Sequence, residues 1–139
     1  MAKIVRTRDL AVDEAFEPGV TIERGIHSDT VDNPKMAMGH TVVPPGSRNQ
    51  RHYHVRCDAG MYILRGRLRM SFGPPYKEKV VDVELGDFVF VPQGEIHGLQ
   101  NLSDKEPAEL VFCIGGTSPE DVRHYKEDGH TVKIEPPSK

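Results

Sequence analysis

An all-β barrel or sandwich is the fold class this sequence predicts. Three observations predict it: dense punctuation by proline and glycine, strand-like alternation between those breaks, and two short segments that are apolar on both faces. Eleven prolines and thirteen glycines interrupt 139 residues, and the stretches between them are rich in Val, Ile, Phe and Tyr instead of helix formers. The clearest alternation is Arg67-Leu68-Arg69-Met70-Ser71-Phe72, where Leu68, Met70 and Phe72 share one face and polar residues share the other. Val81, Val83 and Leu85 alternate with Asp82 and Glu84 in the same way, and Gly73-Pro74-Pro75-Tyr76-Lys77 reads as the loop of a hairpin joining the two strands. Phe88-Val89-Phe90-Val91 and Leu110-Val111-Phe112-Cys113-Ile114 lack a polar face, so they read as the deepest strands, with one side lining the barrel and the other meeting a second layer.

Toward the end of the chain, Ser118-Pro119-Glu120-Asp121 offers an N-cap, a proline at the first helical position and acids in the first turn, with Gly129 available as a stop. One short helix is expected there, followed by the loose tail Glu135-Pro136-Pro137-Ser138-Lys139. The length suits a single domain with one core. Within it we expect N-terminal strands and an arm over 1–35, the barrel core over 36–115, and the helix and tail over 116–139.

Charge excludes several partners. Eighteen Lys and Arg against twenty-one Asp and Glu leave a formal net charge of −3 with no basic stripe, so neither nucleic acid nor an anionic membrane is an expected partner. The first sixteen residues mix charges and contain no apolar run, which predicts no signal peptide or spanning helix and, by default, a cytoplasmic location. Cys57 and Cys113 are too few for a disulfide scaffold and are expected as packed thiols in a reducing compartment.

The chemistry is carried by histidine. In His52-Tyr53-His54 the two imidazoles lie on one face of a strand, because strand side chains alternate with a period of two. Such a pair can grip one transition-metal ion, for which neutral imidazole is the commonest ligand. A third ligand is offered by Gly86-Asp87-Phe88-Val89-Phe90-Val91-Pro92-Gln93-Gly94-Glu95-Ile96-His97, where an apolar strand ends at a Pro-x-Gly turn just before His97.

These residues resemble the paired motifs of the cupin family, G-x5-H-x-H-x(3,4)-E-x6-G followed by G-x5-P-x-G-x2-H-x3-N. Gly86, Pro92, Gly94, His97 and Asn101 occupy every fixed position of the second motif, and Gly46, His52, His54 and Gly66 those of the first. The glutamate is absent: counting back from Gly66 lands on Ala59. The resemblance covers roughly residues 36 to 115. It implies a double-stranded β-helix, or jelly-roll, barrel holding one divalent ion on His52, His54 and His97. Asp58 lies at the shorter spacing that the family allows after His54, and it is a candidate fourth ligand. A straight strand would carry it about 13 Å from His54, so ligation requires a chain reversal near Asp58-Ala59-Gly60. The alternative is a turn residue bonded to backbone.

Three further residues are candidates for substrate chemistry. His40, on the strand expected beside the metal motif, would orient a ligand or donate a proton, or else pack as a satisfied wall residue. Gln50 and Arg56 share strand parity with His52 and His54, and Arg56 would pair with a carboxylate in two-pronged fashion, or else both mark a strand end in water. His27, His124 and His130 sit in charged or turn-rich segments and are expected at the surface. The resemblance implies a metalloenzyme acting on a small molecule. An oxygen-using dioxygenase on Fe2+ with an enol-like, thiol or aromatic substrate comes first. A non-redox lyase, isomerase or cyclase on Mn2+, Zn2+ or Ni2+ is the second reading, and a binding barrel without turnover the third. A homodimer is expected on the same ground.

Overall fold

Alternation along the chain becomes a set of short antiparallel strands. The computed structural model describes residues 1–13 and 19–115, with backbone alone at Pro75, Val122–Tyr125 and Thr131–Lys133. Among the described residues the strands are β1 (Thr21–Ile26), β2 (Ala37–Val43), β3 (His52–His54), β4 (Ala59–Arg65), β5 (Arg67–Phe72), β6 (Lys79–Glu84), β7 (Phe88–Val91), β8 (His97–Asn101), β9 (Ala108–Ile114), β10 (Val122–Tyr125) and β11 (Thr131–Lys133). They form a five-stranded sheet ordered β1-β2-β9-β4-β7 and a six-stranded sheet ordered β11-β10-β3-β8-β5-β6. From β2 to β5 and from β6 to β10 consecutive strands alternate between the sheets, as in a jelly roll.

The hairpin expected from alternation is β5–β6, in register from Arg67↔Glu84 to Phe72↔Lys79, with a 3-10 turn at Pro75–Lys77 inside its loop. Leu68 and Met70 on its inner face are fully buried. Gly66, at the tight β4–β5 connection, has φ +79°, and a Cβ there would lie 3.0–3.1 Å from Ala108 and the Pro107 carbonyl. Only glycine fits both the left-handed backbone and the close approach.

One end of the barrel is filled. Val43, Ile63, Leu68, Met70 and Ala108 have no exposed surface, and Leu110 has 2%. Asn101 closes this end: its side-chain amide donates to the carbonyls of Val43, Pro44 and Glu106, and its Oδ1 accepts from Ser103 N–H. Toward the other end, the inward positions Met61, Phe72, Phe112 and Ile114 are only partly buried. That end holds the histidines.

Two expectations about elements are corrected. Val122–Tyr125 is strand, not helix; it pairs with the histidine strand through Val122↔His54, Arg123↔Tyr53 and His124↔His52. Ladder bonds to β3, which would otherwise be a sheet edge, prevail over local capping signals, and the caps at Ser118–Asp121 and the stop at Gly129 lie outside the described residues. Likewise β7 is an edge strand, not a deep one. Val89 and Val91 are buried, yet Phe88 and Phe90 are 83% and 67% exposed on the outer face. Apolar character on both faces fits β9 better: it lies between β2 and β4, although its Cys113 is exposed.

Candidate metal centre

The site grows from a cross-strand pair. β3 and β8 run antiparallel with His52 directly opposite His97, and directly opposed residues share a face. The strand period returns His54 to that same face. The three imidazoles converge, with one ligand nitrogen from each lying within 4.8 Å of the others. Ring centroids are 4.3 Å apart for His52 and His97, 5.4 Å for His52 and His54, and 5.5 Å for His54 and His97. His97 and His54 are buried and His52 is half-buried, so the group reaches from the interior toward the open end.

Backbone carbonyls set the ring orientations. His97 Nδ1–H donates to the Glu95 carbonyl at 2.9 Å, and His52 Nδ1–H donates to the Gln50 carbonyl at 2.9 Å. A carbonyl can only accept, so each bond fixes the tautomer that leaves Nε2 as the basic nitrogen. His97 Nε2 is buried with no hydrogen-bond partner. Burial pushes the His97 imidazole well below its usual pKa, the charges of His52 and then His54 lower it further, and the Glu95 carbonyl only partly opposes this. A neutral, inward-aimed, unsatisfied nitrogen facing two more imidazoles is what a divalent transition-metal ion requires. An orphaned buried acceptor is otherwise worth about 1–3 kcal/mol of destabilisation. The residues fit the ion.

The turn before His97 is docked onto β3. Gly94, in the left-handed region at φ +81°, donates its N–H to the His54 carbonyl at 2.7 Å, and Gln93 N–H donates to Asp58 Oδ1 at 2.9 Å. One oxygen of Asp58 is thereby engaged by backbone. The structure does not bring it into the histidine group; the chain leaves the six-stranded sheet at His54 and enters the other at Ala59, and the carboxylate holds the Pro92-Gln93-Gly94 turn instead.

The remaining candidates fall elsewhere. His40 lies on β2 in the opposite sheet, at a position alternating with the inward Gly39 and Thr41, so its ring is on the outer face. There its Nδ1 lies 3.2 Å from Glu23 Oε1 and its Nε2 3.4 Å from Glu109 Oε1. Gln50 is exposed and serves the centre through its carbonyl, and Arg56 is exposed in the bend after β3, where strand parity with His54 no longer holds. His27 is buried rather than superficial, because the turn after β1, closed by Thr30 and Val31 N–H to the His27 carbonyl, folds the ring inward near Asp29. His130 and the side chain of His124 lie outside the described residues. Cys57 is buried and no disulfide joins it to the exposed Cys113.

Two features of the centre went unread in the sequence. Asn49 Oδ1 accepts Leu99 N–H at 2.8 Å, which ties the approach to β3 onto β8. Phe72 stands opposite His97 on the other flank of β8. The signal for Asn101 was present: residues 97, 99 and 101 share one strand face.

Two antiparallel sheets with three imidazoles at the open end define a small barrel with a candidate metal site. The profile of the Cupin domain matches residues 39–115, more than half of the chain, and the chain belongs to the cupin family. Protein SchB of Streptomyces halstedii is 30% identical over 82 residues, covering 59% of this chain and 56% of that one, so the match spans about half of that relative's length. Among solved structures, the polyketide cyclase RemF of Streptomyces resistomycificus is similar at a TM-score of 0.69 and 23% identity, over 89% of this chain and 85% of that one. Oxalate decarboxylase of Bacillus subtilis is similar at 0.71 and 19%, over 96% of this chain and 32% of that one. The Cnp3 cupin domain of Schizosaccharomyces pombe is similar at 0.62 and 13%, over 80% and 72%. At these identities the structural likeness shows the fold. No helix among the described residues is long and apolar enough to cross a membrane.

Proposed function

We propose that this chain is a metal-dependent enzyme for a small molecule bound as an anion at His52, His54 and His97, with oxygen-using cleavage of an enol-like, thiol or aromatic substrate as the leading reaction. The observation that carries the reading is the convergence of three imidazoles, with no carboxylate in the group among the described residues, at the open end of the barrel. Neutral donors leave a divalent ion its full charge, which favours an anionic, chelating substrate. When bound, the ion supplies a Lewis-acidic centre and, as Fe2+, a partner for dioxygen. The chain's own contribution is positional: the Glu95 and Gln50 carbonyls hold two rings in their ligating tautomers, and the turn at Gln93-Gly94 sets His97 against β3.

A second reading, non-redox cyclisation or lysis on Mn2+, Zn2+ or Ni2+, is favoured by the likeness to the polyketide cyclase RemF. A third, ligand binding without turnover, needs no ion. Metal analysis of protein purified without chelator, followed by oxygen uptake against diketones, thiols and catechols, separates them. Stoichiometric iron with substrate-dependent oxygen loss is the expected result. Zinc or manganese with turnover unaffected by removing air would replace the leading reaction with the second, and absence of any ion would leave the third. We further propose a homodimer, supported by the exposed Phe88 and Phe90 on edge strand β7, and a cytoplasmic setting, supported by the exposed, unbridged Cys113.

A further inference from the structure

We infer that the open end of the barrel is an aromatic-binding pocket, in which Phe72, Met61, Phe112 and Ile114 form the wall for a planar ring body whose oxygens face the histidines. The orientation of the oxygens rests on the metal reading; the wall does not. Strand register puts all four residues on the inner face. Phe72 is opposite His97, while Met61 is opposite Phe112 and Ile114 opposite Ala59 in adjacent strands. All four are partly buried, whereas Ile63, Leu110, Leu68 and Met70, on the same faces of β4, β9 and β5, are buried to 2% exposure or less. The larger apolar side chains thus fill one end of the barrel and only line the other.

Gly39 keeps the lined end open. It pairs with Phe112, and a Cβ at Gly39 would sit 2.5 Å from the Glu23 carbonyl oxygen, 2.6 Å from Phe112 Cζ and 2.9 Å from Cε1. The phenyl ring therefore leans across Gly39 along the sheet instead of standing into the lumen. The neighbouring inward positions Ala37, Ala59 and Val91 are small or aliphatic and are buried, at 6%, 3% and 1% exposure. Two cations are in register with the wall, Arg24 opposite Gly39 and Lys79 opposite Phe72; both lie on edge strands, and Arg24 is held by Asp13 at 2.6 Å. Such a wall gains from burying ring faces, in proportion to apolar area, and offers little to a small dianion.

Three methionines of this chain make the test. In methyl-labelled protein kept metal-free with chelator, naphthalene-2,3-diol should shift the Met61 methyl. Met70 in the filled end and Met38 on the outer face should stay in place, and oxalate should move none of them. In Co2+-loaded protein, naphthalene-2,3-diol should bind at least tenfold tighter than catechol, and Ile114→Asn should remove that advantage while leaving Co2+ affinity within about twofold. A Met61 methyl unmoved at millimolar diol, Met70 or Met38 shifting as much as Met61, or oxalate binding more tightly would overturn the pocket. Co2+ binding without a Met61 shift would refute the pocket and keep the metal reading, whereas a Met61 shift without Co2+ binding would do the reverse.

Discussion

Replacing Asp58 by asparagine and by alanine separates a turn-holding role from a ligand role. The Asp58 Oδ1 accepts a single N–H, that of Gln93, at 2.9 Å in an exposed position. Asparagine presents an equivalent oxygen, so Asp58→Asn should lose only the charge assistance of that bond, a few tenths of a kcal/mol. Alanine removes the bond, worth about 1 kcal/mol in net stability. Because the turn carries His97, at most that same amount reaches metal affinity, which at about 1.4 kcal/mol per decade is roughly fivefold. A carboxylate bound to the ion behaves otherwise: both substitutions would cost at least the ten- to hundredfold typical of disturbed metal shells. Calorimetric titration with Co2+ measures the affinity, and urea unfolding of metal-free protein measures the stability. Loss of more than tenfold in Co2+ affinity by Asp58→Asn would refute the assignment to the turn.

Other substitutions test the frame and the charge state of the centre. Asn101→Ala deletes four hydrogen bonds at a residue 2% exposed and should cost about 3 kcal/mol in urea unfolding, and a loss below about 1 kcal/mol would contradict its role as the closing pin. For metal-free protein, the depressed His97 pKa means that the unfolded chain binds the proton first. Stability is then fully present above the ordinary histidine range near pH 6.5 and is lost as pH falls through it toward the lower folded value. The urea midpoint should drop between pH 7.5 and 5.5, and His97→Gln should flatten that slope; an unchanged slope would show that other groups carry it. Paired Phe88→Lys and Phe90→Lys substitutions should yield a folded monomer in sedimentation equilibrium, and a persisting dimer would move the interface elsewhere.

Legibility in the sequence followed the range of the interactions. The β5–β6 hairpin was readable because alternation and turn chemistry are local, and the three imidazoles because strand parity and two well-populated motifs fix their faces. β7 misled because a strand with two apolar faces looks the same at a sheet edge as at its centre; only the distant pairing of β4 with β9 on one side and with β7 on the other decides. The C-terminal segment misled for a similar reason, since capping signals are local while the pairing of Val122–Tyr125 with β3 is not. His40 is near the motif in sequence, but its position on β2 sends its ring to the opposite surface, between Glu23 and Glu109.

The pairing of β3 with β8 has a mechanical consequence. β8 is zipped to β5 over five registered pairs, but to β3 at one, His52 with His97, flanked by tethers at Ser47, Arg48 and Asn49 on one side and by the Gly94 N–H on the His54 carbonyl on the other. The six-stranded sheet therefore has a seam, and two of the imidazoles sit astride it. An ion gripped from both sides would act as a rivet, so that the opening of the flap made by β3, β10 and β11 is governed by ion occupancy more than by backbone bonds. Amide exchange at residues 52–54 should then slow on metal loading, while the β5–β8 ladder, already stitched, stays as it was.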